Sequence, residues 1–128
     1  CLPKTAWPPT YIEMRGFVPN NEALKIIANS KAIVLPTQCY EGFPMSIVEA
    51  FSVGTPVICS DLGNAGSVVE EGITGYKFQF DSIEDMITCV MKCNSICEST
   101  ASKYYEKYTE KRNYAMLIDV YESLKNEI

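Results

Sequence analysis

Short apolar runs alternate with amphipathic segments along most of this 128-residue chain. The apolar runs have the length of β-strands and lie at residues 11–18, 32–35, 56–60 and 75–80. Alternation of strand-type and helix-type segments is typical of a parallel sheet with helices packed on its faces. The unbroken apolar run 32–35 predicts a central strand buried on both faces. The pattern therefore predicts an α/β fold.

Helical spacing fills the intervals between these runs. We expect a helix at 21–29 capped by Asn21, a second from near Pro44 to just before Gly54, and a short one at 68–71 after a polar turn at 61–66. Asp81 and Ser82 are both good caps for the helix that follows them. The tail 99–128 is helical in composition. Its tyrosines should pack on the sheet or on a neighbouring domain: Tyr105, Tyr108, Tyr114 and Tyr121.

Three of the six cysteines recur every four residues in the predicted helix after Ser82. At about 100° per residue, Cys93 and Cys97 share a stripe with apolar positions, and Cys89 lies at its edge. The apolar members of that stripe are Ile83, Met86 and Val90. A Cys-x3-Cys-x3-Cys line lacks a fourth metal ligand, so we predict reduced thiols in the core and no metal site.

Composition narrows the classes of function. With 47% apolar and 21% charged residues, the chain can form one core. The net charge of −5 argues against broad capture of nucleic acid or anionic lipid. The absence of histidine removes imidazole relays and imidazole-bound zinc. No apolar stretch approaches the roughly 18 residues of a membrane span. Because the chain begins with Cys1 and a proline-rich segment, we expect a single partial domain, 1–128.

The loop at residues 37–44 joins the run 32–35 to the next helix, and it carries Glu41 and Gly42. Ligands of open α/β sheets bind where strands end and helices begin. The free amides of a helix start bind anions without lysine, and here those donors are Phe43, Met45 and Ser46. Gly42 allows close approach by a ligand or a positive φ.

Glu49 lies eight positions after Glu41 and shares a helix stripe with Met45 and Ser52, away from the apolar stripe. Carboxylates accept hydrogen bonds from hydroxyls, and amides bind phosphate. Two carboxylates that flank free amides therefore suit a nucleotide sugar. In an arbitrary sequence, two glutamates at this spacing are usually solvated surface charges.

The segment 33–78 closely resembles the donor-binding domain of the large retaining glycosyltransferase family known as group 1, or family 4, which has the GT-B fold. Weaker likeness extends from about Tyr11 to Tyr121. The resemblance implies a Rossmann-like parallel sheet with helices on both faces. The matched elements are Pro36-Thr37, the Glu41 to Glu49 pair with Gly42-Phe43 between, Glu49-Ala50, Gly54-Thr55-Pro56-Val57, Leu62-Gly63-Asn64, and Gly72 to Gly75.

This resemblance implies roles for particular residues. Glu41 resembles the first glutamate of the family's E-x7-E motif, a catalytic position that contacts hydroxyls of the transferred sugar. Glu49 resembles the second, which holds the ribose hydroxyls. The backbone that meets the sugar and the diphosphate corresponds to Gly42, Phe43, Met45 and Ser46.

A turn at Val18, Pro19 and Asn20 borders the base by the same resemblance, although an ordinary strand-to-helix turn is an equal interpretation. Two positions depart from the family pattern. Pro44 replaces a common glycine, and Ser67 replaces a common glutamate, so we assign residues 64–67 no ligand role. The family's first strand-helix-strand unit, with its basic residues, and its acceptor domain are both absent from the chain. We therefore expect this fragment alone to be inactive.

The resemblance implies transfer of a hexosyl group from a nucleotide diphosphate sugar, with retention, to a glycan or lipid-linked acceptor. It also implies surface polysaccharide or glycoconjugate biosynthesis in the cytoplasm, at the inner face of the membrane, and leaves open peripheral membrane association of the full-length protein. We expect no metal, and no cofactor besides the sugar donor. The alternatives are a non-catalytic nucleotide-sugar-binding module and a sugar-nucleotide epimerase. A dehydrogenase is disfavoured because no G-x-G-x-x-G follows a strand.

Overall fold

The computed structural model describes residues 11–40, 42–93 and 99–126. Helices and strands alternate through most of them, which confirms the predicted α/β fold. The elements are α1 (Asn20–Ala28), β1 (Ile33–Leu35), α2 (Met45–Ser52), β2 (Val57–Ser60), α3 (Gly63–Val68), β3 (Gly75–Phe78), α4 (Ile83–Lys92), α5 (Ser99–Lys107) and α6 (Glu110–Asn126). Among the described helices, none is long and apolar enough to cross a membrane.

The described strands form a parallel sheet in the order β1-β2-β3. All four residues of the middle strand β2 are buried. Its Val57 pairs with Ile33 on one side and with Gly75 on the other. A Cβ atom at Gly75 would lie 1.7 Å from the Val57 carbonyl oxygen, so this position requires glycine. Because the strands are parallel, their carboxyl ends share one edge of the sheet.

Helices cover both faces of this sheet, as predicted. On one face, Val57 and Cys59 pack in a core cluster with Ile47 and Phe51 of α2 and Ala65 of α3. On the other face, the core cluster contains Ile58, Phe78, Cys89 and Cys93. Neighbouring residues of β2 thus serve opposite cores, as the period of two in a strand requires.

The prediction of a strand at 11–18 is wrong. Residues 11–17 are exposed and form no strand, Gly16 has a φ of 62°, and Phe17 is 98% exposed. A strand is stable only when it pairs with another, and none of the described strands pairs with this segment. For the same reason β1 is an edge strand of the described sheet rather than a central one, and its Val34 is 41% exposed.

Two helix boundaries also differ from the predictions. Asn21 lies inside α1, whose N-cap is Pro19, and its side-chain oxygen accepts a hydrogen bond from the Glu22 amide instead of capping the helix. The short third helix covers Gly63–Val68 rather than 68–71. Residues 70–74 instead turn the chain into β3, where the Thr74 amide donates to the Glu70 carbonyl at 2.9 Å.

The cysteine helix confirms part of its predicted core. Cys89 and Cys93 are buried, whereas Cys97 lies outside the described residues. Ile83 and Val90 are exposed, because the packed stripe is centred on Cys89 and Cys93 and leaves them at its margin.

The tail is helical, as predicted, but only one of its four named tyrosines packs against the sheet layer. The Tyr108 ring lies 6.2 Å from the ring of Phe51, measured between centroids. Tyr105, Tyr114 and Tyr121 are exposed in the described part of the chain.

Candidate functional site

Two of the cavities that open at the carboxyl edge of the sheet adjoin Pro36 and Thr37, just after β1. The first is a cavity of about 220 Å³ at the start of α2, lined by Leu35, Pro36, Thr37, Pro44, Ser46 and Ala65. The second, of about 240 Å³, lies beside the start of α4, and its walls include Ser60, Phe78, Phe80, Asp81 and Ser82. Both lie where ligands of open α/β sheets bind.

The start of α2 presents backbone donors that no described residue satisfies. Its N-cap is the buried Pro44, which provides no capping side chain, and the first turn contains no acidic residue. The Ile47 amide donates to the Pro44 carbonyl at 3.0 Å. Within the described residues, the amides of Met45 and Ser46 have no acceptor. A helix start of this kind attracts an anion.

The predicted backbone contacts cluster around this helix start. At Gly42 a Cβ atom would meet nothing within 4 Å, which leaves the space that close approach by a ligand needs. Phe43 is half exposed, and its ring centroid lies 6.4 Å from that of Tyr108. Met45 is 60% exposed. Ser46 lines the 220 Å³ cavity.

Of the two predicted glutamates, only Glu49 lies in the part of the chain that the structure describes. Glu49 is partly exposed on α2, about 6 Å along the helix axis from Met45 at 1.5 Å per residue. It does not line either cavity. Glu41 lies outside the described residues, so its place beside Glu49 stays a prediction.

The turn at Val18, Pro19 and Asn20 forms the start of α1. The Pro19 carbonyl accepts hydrogen bonds from the amides of Glu22 and Ala23, each at 3.0 Å. None of the three residues lines either cavity at the sheet edge. The observed contacts therefore serve α1 itself, and contact with a base stays a prediction.

Two polar side chains to which the sequence assigned no role at the site, Ser60 and Asn64, hold the loop between β1 and α2. The Ser60 hydroxyl, at the end of β2, donates to the Thr37 carbonyl at 2.7 Å. The Asn64 side-chain amide, in α3, donates to the Gly42 carbonyl. Both residues follow a buried strand at the same sheet edge as the loop, and this placement was the available signal.

The site has few reactive groups. Neither of the two cavities beside Pro36 and Thr37 is lined by lysine or arginine among the described residues, whereas Lys77 lines a further cavity of about 510 Å³ at the end of β3. No group of three metal-ligating side chains occurs in the described part of the chain. Burial raises the pKa of the nearby Cys59 thiol to about 12, so this thiol stays protonated at neutral pH. The arrangement can bind and orient an anionic ligand.

Comparison with known proteins gives the family. The sequence profile described as "Glycosyl transferases group 1" matches residues 9–112. The chain belongs to this family. The match includes the whole sheet and the α2 start, so the candidate site lies within the part that defines this group 1 glycosyltransferase chain.

The relatives are larger proteins. Sucrose synthase 6 of Arabidopsis thaliana is 24% identical over 103 residues, which are 72% of this chain and 11% of that protein. O-antigen chain mannosyltransferase B of Escherichia coli is 37% identical over 59 residues, covering 46% of this chain and 15% of that protein. The chain thus spans less than a sixth of either relative.

A solved structure confirms the fold. The crystal structure of Anabaena Alr3699/HepE in complex with UDP and glucose superimposes with a TM-score of 0.72 and 19% identity. The superposition covers 90% of this chain and 33% of that one. The group 1 chain therefore shares the α/β fold of one part of that structure.

Proposed function

We propose that this chain is the sugar-donor-binding half of a retaining glycosyltransferase that moves a hexosyl group from a nucleotide diphosphate sugar to a glycan or lipid-linked acceptor. The start of α2 is the observation that carries the proposal. Its Met45 and Ser46 amides have no acceptor among the described residues, beside a cavity of about 220 Å³ at the end of β1. A diphosphate supplies the missing acceptors.

The predicted side chains extend this site in two directions. In the proposal Glu49, one turn into α2, accepts hydrogen bonds from the ribose hydroxyls. Glu41 orients the sugar at the other end, next to Gly42 and Phe43. The turn at 18–20 borders the base. Amides fixed before the reaction stabilise the leaving diphosphate without reorganisation.

The residues that line the two cavities support a proposal in which other parts of a longer protein also contact the diphosphate. Because neither cavity is lined by a basic side chain among the described residues, the remaining charge of the diphosphate needs partners from elsewhere. We assign those partners to the family's first strand-helix-strand unit and the acceptor site to a separate domain. In this proposal the chain alone binds the sugar donor and is inactive. It uses no metal or further cofactor.

The printed names of the relatives bear on the pathway. The O-antigen mannosyltransferase and the UDP- and glucose-bound Alr3699/HepE support a nucleotide sugar as substrate and a glycan as product. We place the reaction in surface polysaccharide or glycoconjugate biosynthesis, in the cytoplasm at the inner face of the membrane.

The proposal is tested by incubating the full-length protein that carries this chain with UDP-, GDP- and ADP-sugars. Stabilisation against heat by one class of nucleotide, followed by hydrolysis or transfer of its sugar, is the expected result. Tight binding without turnover would favour the non-catalytic module, and a change of sugar configuration in the free nucleotide sugar would favour the epimerase.

Substitution of the two glutamates separates their roles. We expect Glu49→Ala to raise the Kd of the nucleotide about tenfold, since it removes a charged acceptor, and Glu41→Ala to lower kcat about a hundredfold with little change in Kd. Calorimetry and a transfer assay measure the two effects. Glu84→Ala, on the exposed face of α4, is the control. Negligible effects of both substitutions would contradict the role assignment.

A further inference from the structure

We propose that Asn64 is a positioning residue, which holds the loop between β1 and α2 in the geometry needed for sugar transfer. This inference rests on the proposed function. Residues 38–42 form the part of the loop that leads to the sugar end of the site, and Asn64 reaches it from a different element, α3.

Among the described residues, two side chains from the β2–α3 segment each donate a hydrogen bond to a carbonyl group of the loop. The Ser60 hydroxyl donates to the Thr37 carbonyl at 2.7 Å, close to the end of β1. The Asn64 amide donates to the Gly42 carbonyl, close to the start of α2. The first contact continues the sheet edge, whereas the second crosses 22 positions of sequence to an exposed part of the loop.

The two sequence neighbours of Asn64 are themselves packed against other parts of the chain. Ala65 is buried in the core, and its carbonyl accepts a hydrogen bond from the Cys59 thiol at 3.6 Å. Gly63 has φ +57°, and a Cβ atom there would lie 3.0 Å from Cδ1 of the Tyr40 ring. The start of α3, which carries Asn64, is therefore held to β2 through Ala65 and lies close to Tyr40 of the loop through Gly63.

The contact acts through one peptide group. In a trans peptide the carbonyl of residue i and the amide of residue i+1 point in opposite directions. A donor fixed on the Gly42 carbonyl therefore also fixes the direction of the Phe43 amide. The diphosphate donors on Met45 and Ser46 belong to α2 and do not depend on this contact. Loss of Asn64 should consequently disturb the sugar end of the site more than nucleotide binding.

Asn64→Asp tests this, because it keeps the shape of the side chain and replaces the donor with an acceptor that repels the Gly42 carbonyl. In the full-length protein we expect kcat for sugar transfer to fall about tenfold, while the Kd of the nucleotide stays within about twofold. Asn64→Gln, which keeps an amide, should recover part of the loss. Ser67→Ala is the matched control in α3, since its hydroxyl donates to the Gly63 carbonyl of the same helix at 3.3 Å.

Hydrogen exchange gives a readout that does not depend on activity. Peptides covering residues 38–45 should exchange faster in Asn64→Asp than in the parent or in Ser67→Ala. Unchanged exchange and unchanged kcat in Asn64→Asp would overturn the positioning role. A parent protein that transfers sugar from none of the donors would instead refute the proposed function, and faster loop exchange in Asn64→Asp would still show the tether.

Discussion

Two of the helices that begin at the carboxyl edge of the sheet, α2 and α4, differ in how the amides of their first turns are satisfied. At α4 the Ser82 hydroxyl accepts a hydrogen bond from the Asp85 amide at 3.2 Å. Glu84 and Asp85 place two carboxylates in that first turn, and Asp85 also accepts from the Gln79 amide at 2.6 Å. At α2 the N-cap is Pro44, and no acid lies in the first turn.

This difference separates two cavities of similar volume. Carboxylates at a helix start neutralise the positive end of its dipole, and a capping side chain occupies its amides. The α4 start thus contributes to the stability of the fold and repels a phosphate. At the start of α2, the positive end of the helix dipole and the first amides remain available to a ligand. Volume alone would have ranked the two cavities as equals.

Addition of a carboxylate to the first turn of α2 should make its helix start as unfavourable for a phosphate as that of α4. Met45→Asp places an acid in the first turn at an exposed position, so the fold should tolerate it. Repulsion of the diphosphate should raise the nucleotide Kd about a hundredfold, as a charge pair near the protein surface allows. Titration calorimetry with UDP, GDP and ADP measures the change.

Ile83→Asp is the control for this substitution, because Ile83 is the first residue of α4, is 66% exposed and lines the other cavity. We expect its nucleotide Kd to stay within about twofold of the parent. Equal losses in the two variants would show that general charge repulsion, rather than the α2 start, controls binding.

Removal of the α4 cap should affect the stability of the fold rather than nucleotide binding. Ser82→Ala removes the acceptor of the Asp85 amide and should lower the free energy of unfolding by about 1 kcal/mol, without a change in nucleotide affinity. Urea-induced unfolding measures the loss. Thr88→Ala, on the same helix, removes a hydroxyl that donates to the Glu84 carbonyl at 2.9 Å and should cost less than about 0.5 kcal/mol. A nucleotide Kd raised by Ser82→Ala would place the ligand in the α4 cavity instead.

The sequence predicted those parts of the fold that depend on local signals. Pro44 and Gly54 bound α2, and the apolar run before Asp61 forms β2, as predicted. The predicted strand at 11–18 and the central position of β1 both needed a pairing partner, which a local pattern does not supply. The third helix was misplaced because a glycine-bearing polar stretch reads as a turn, although Gly63 starts a helix.

The candidate site likewise has one part that local sequence signals predict and another that depends on tertiary contacts. The amides at the start of α2 follow from a proline before an amphipathic segment, so they could be predicted from spacing. The Asn64 contact with Gly42 joins residues far apart in sequence. It depends on α3 starting at the sheet edge beside the loop, and only the folded chain shows this.

The smallest expected effect concerns the ion pairs that join the segment after α3 to α5, a helix packed against α2. Glu70 contacts Lys107 at 2.5 Å and Lys103 at 3.5 Å. The hydrogen bond from Lys107 is the main cause that lowers the pKa of the Glu70 carboxyl. A lowered pKa stabilises the fold above the unfolded pKa of about 4.3, and this contribution is lost as the pH falls through the folded pKa.

Glu70→Gln should therefore lower the free energy of unfolding at pH 7 by less than about 1 kcal/mol, the usual range for partly exposed pairs. The difference from the parent should shrink when unfolding is repeated near pH 3. Glu106→Gln, which removes a more exposed contact with Lys103 at 3.4 Å, should give a still smaller change. Nucleotide affinity should remain the same in both variants, because the proposed binding contribution of α2 lies in its backbone donors and Glu49. A Kd that followed Glu70 would mean that the charges around α5, rather than the uncapped helix start, distinguish α2 from α4.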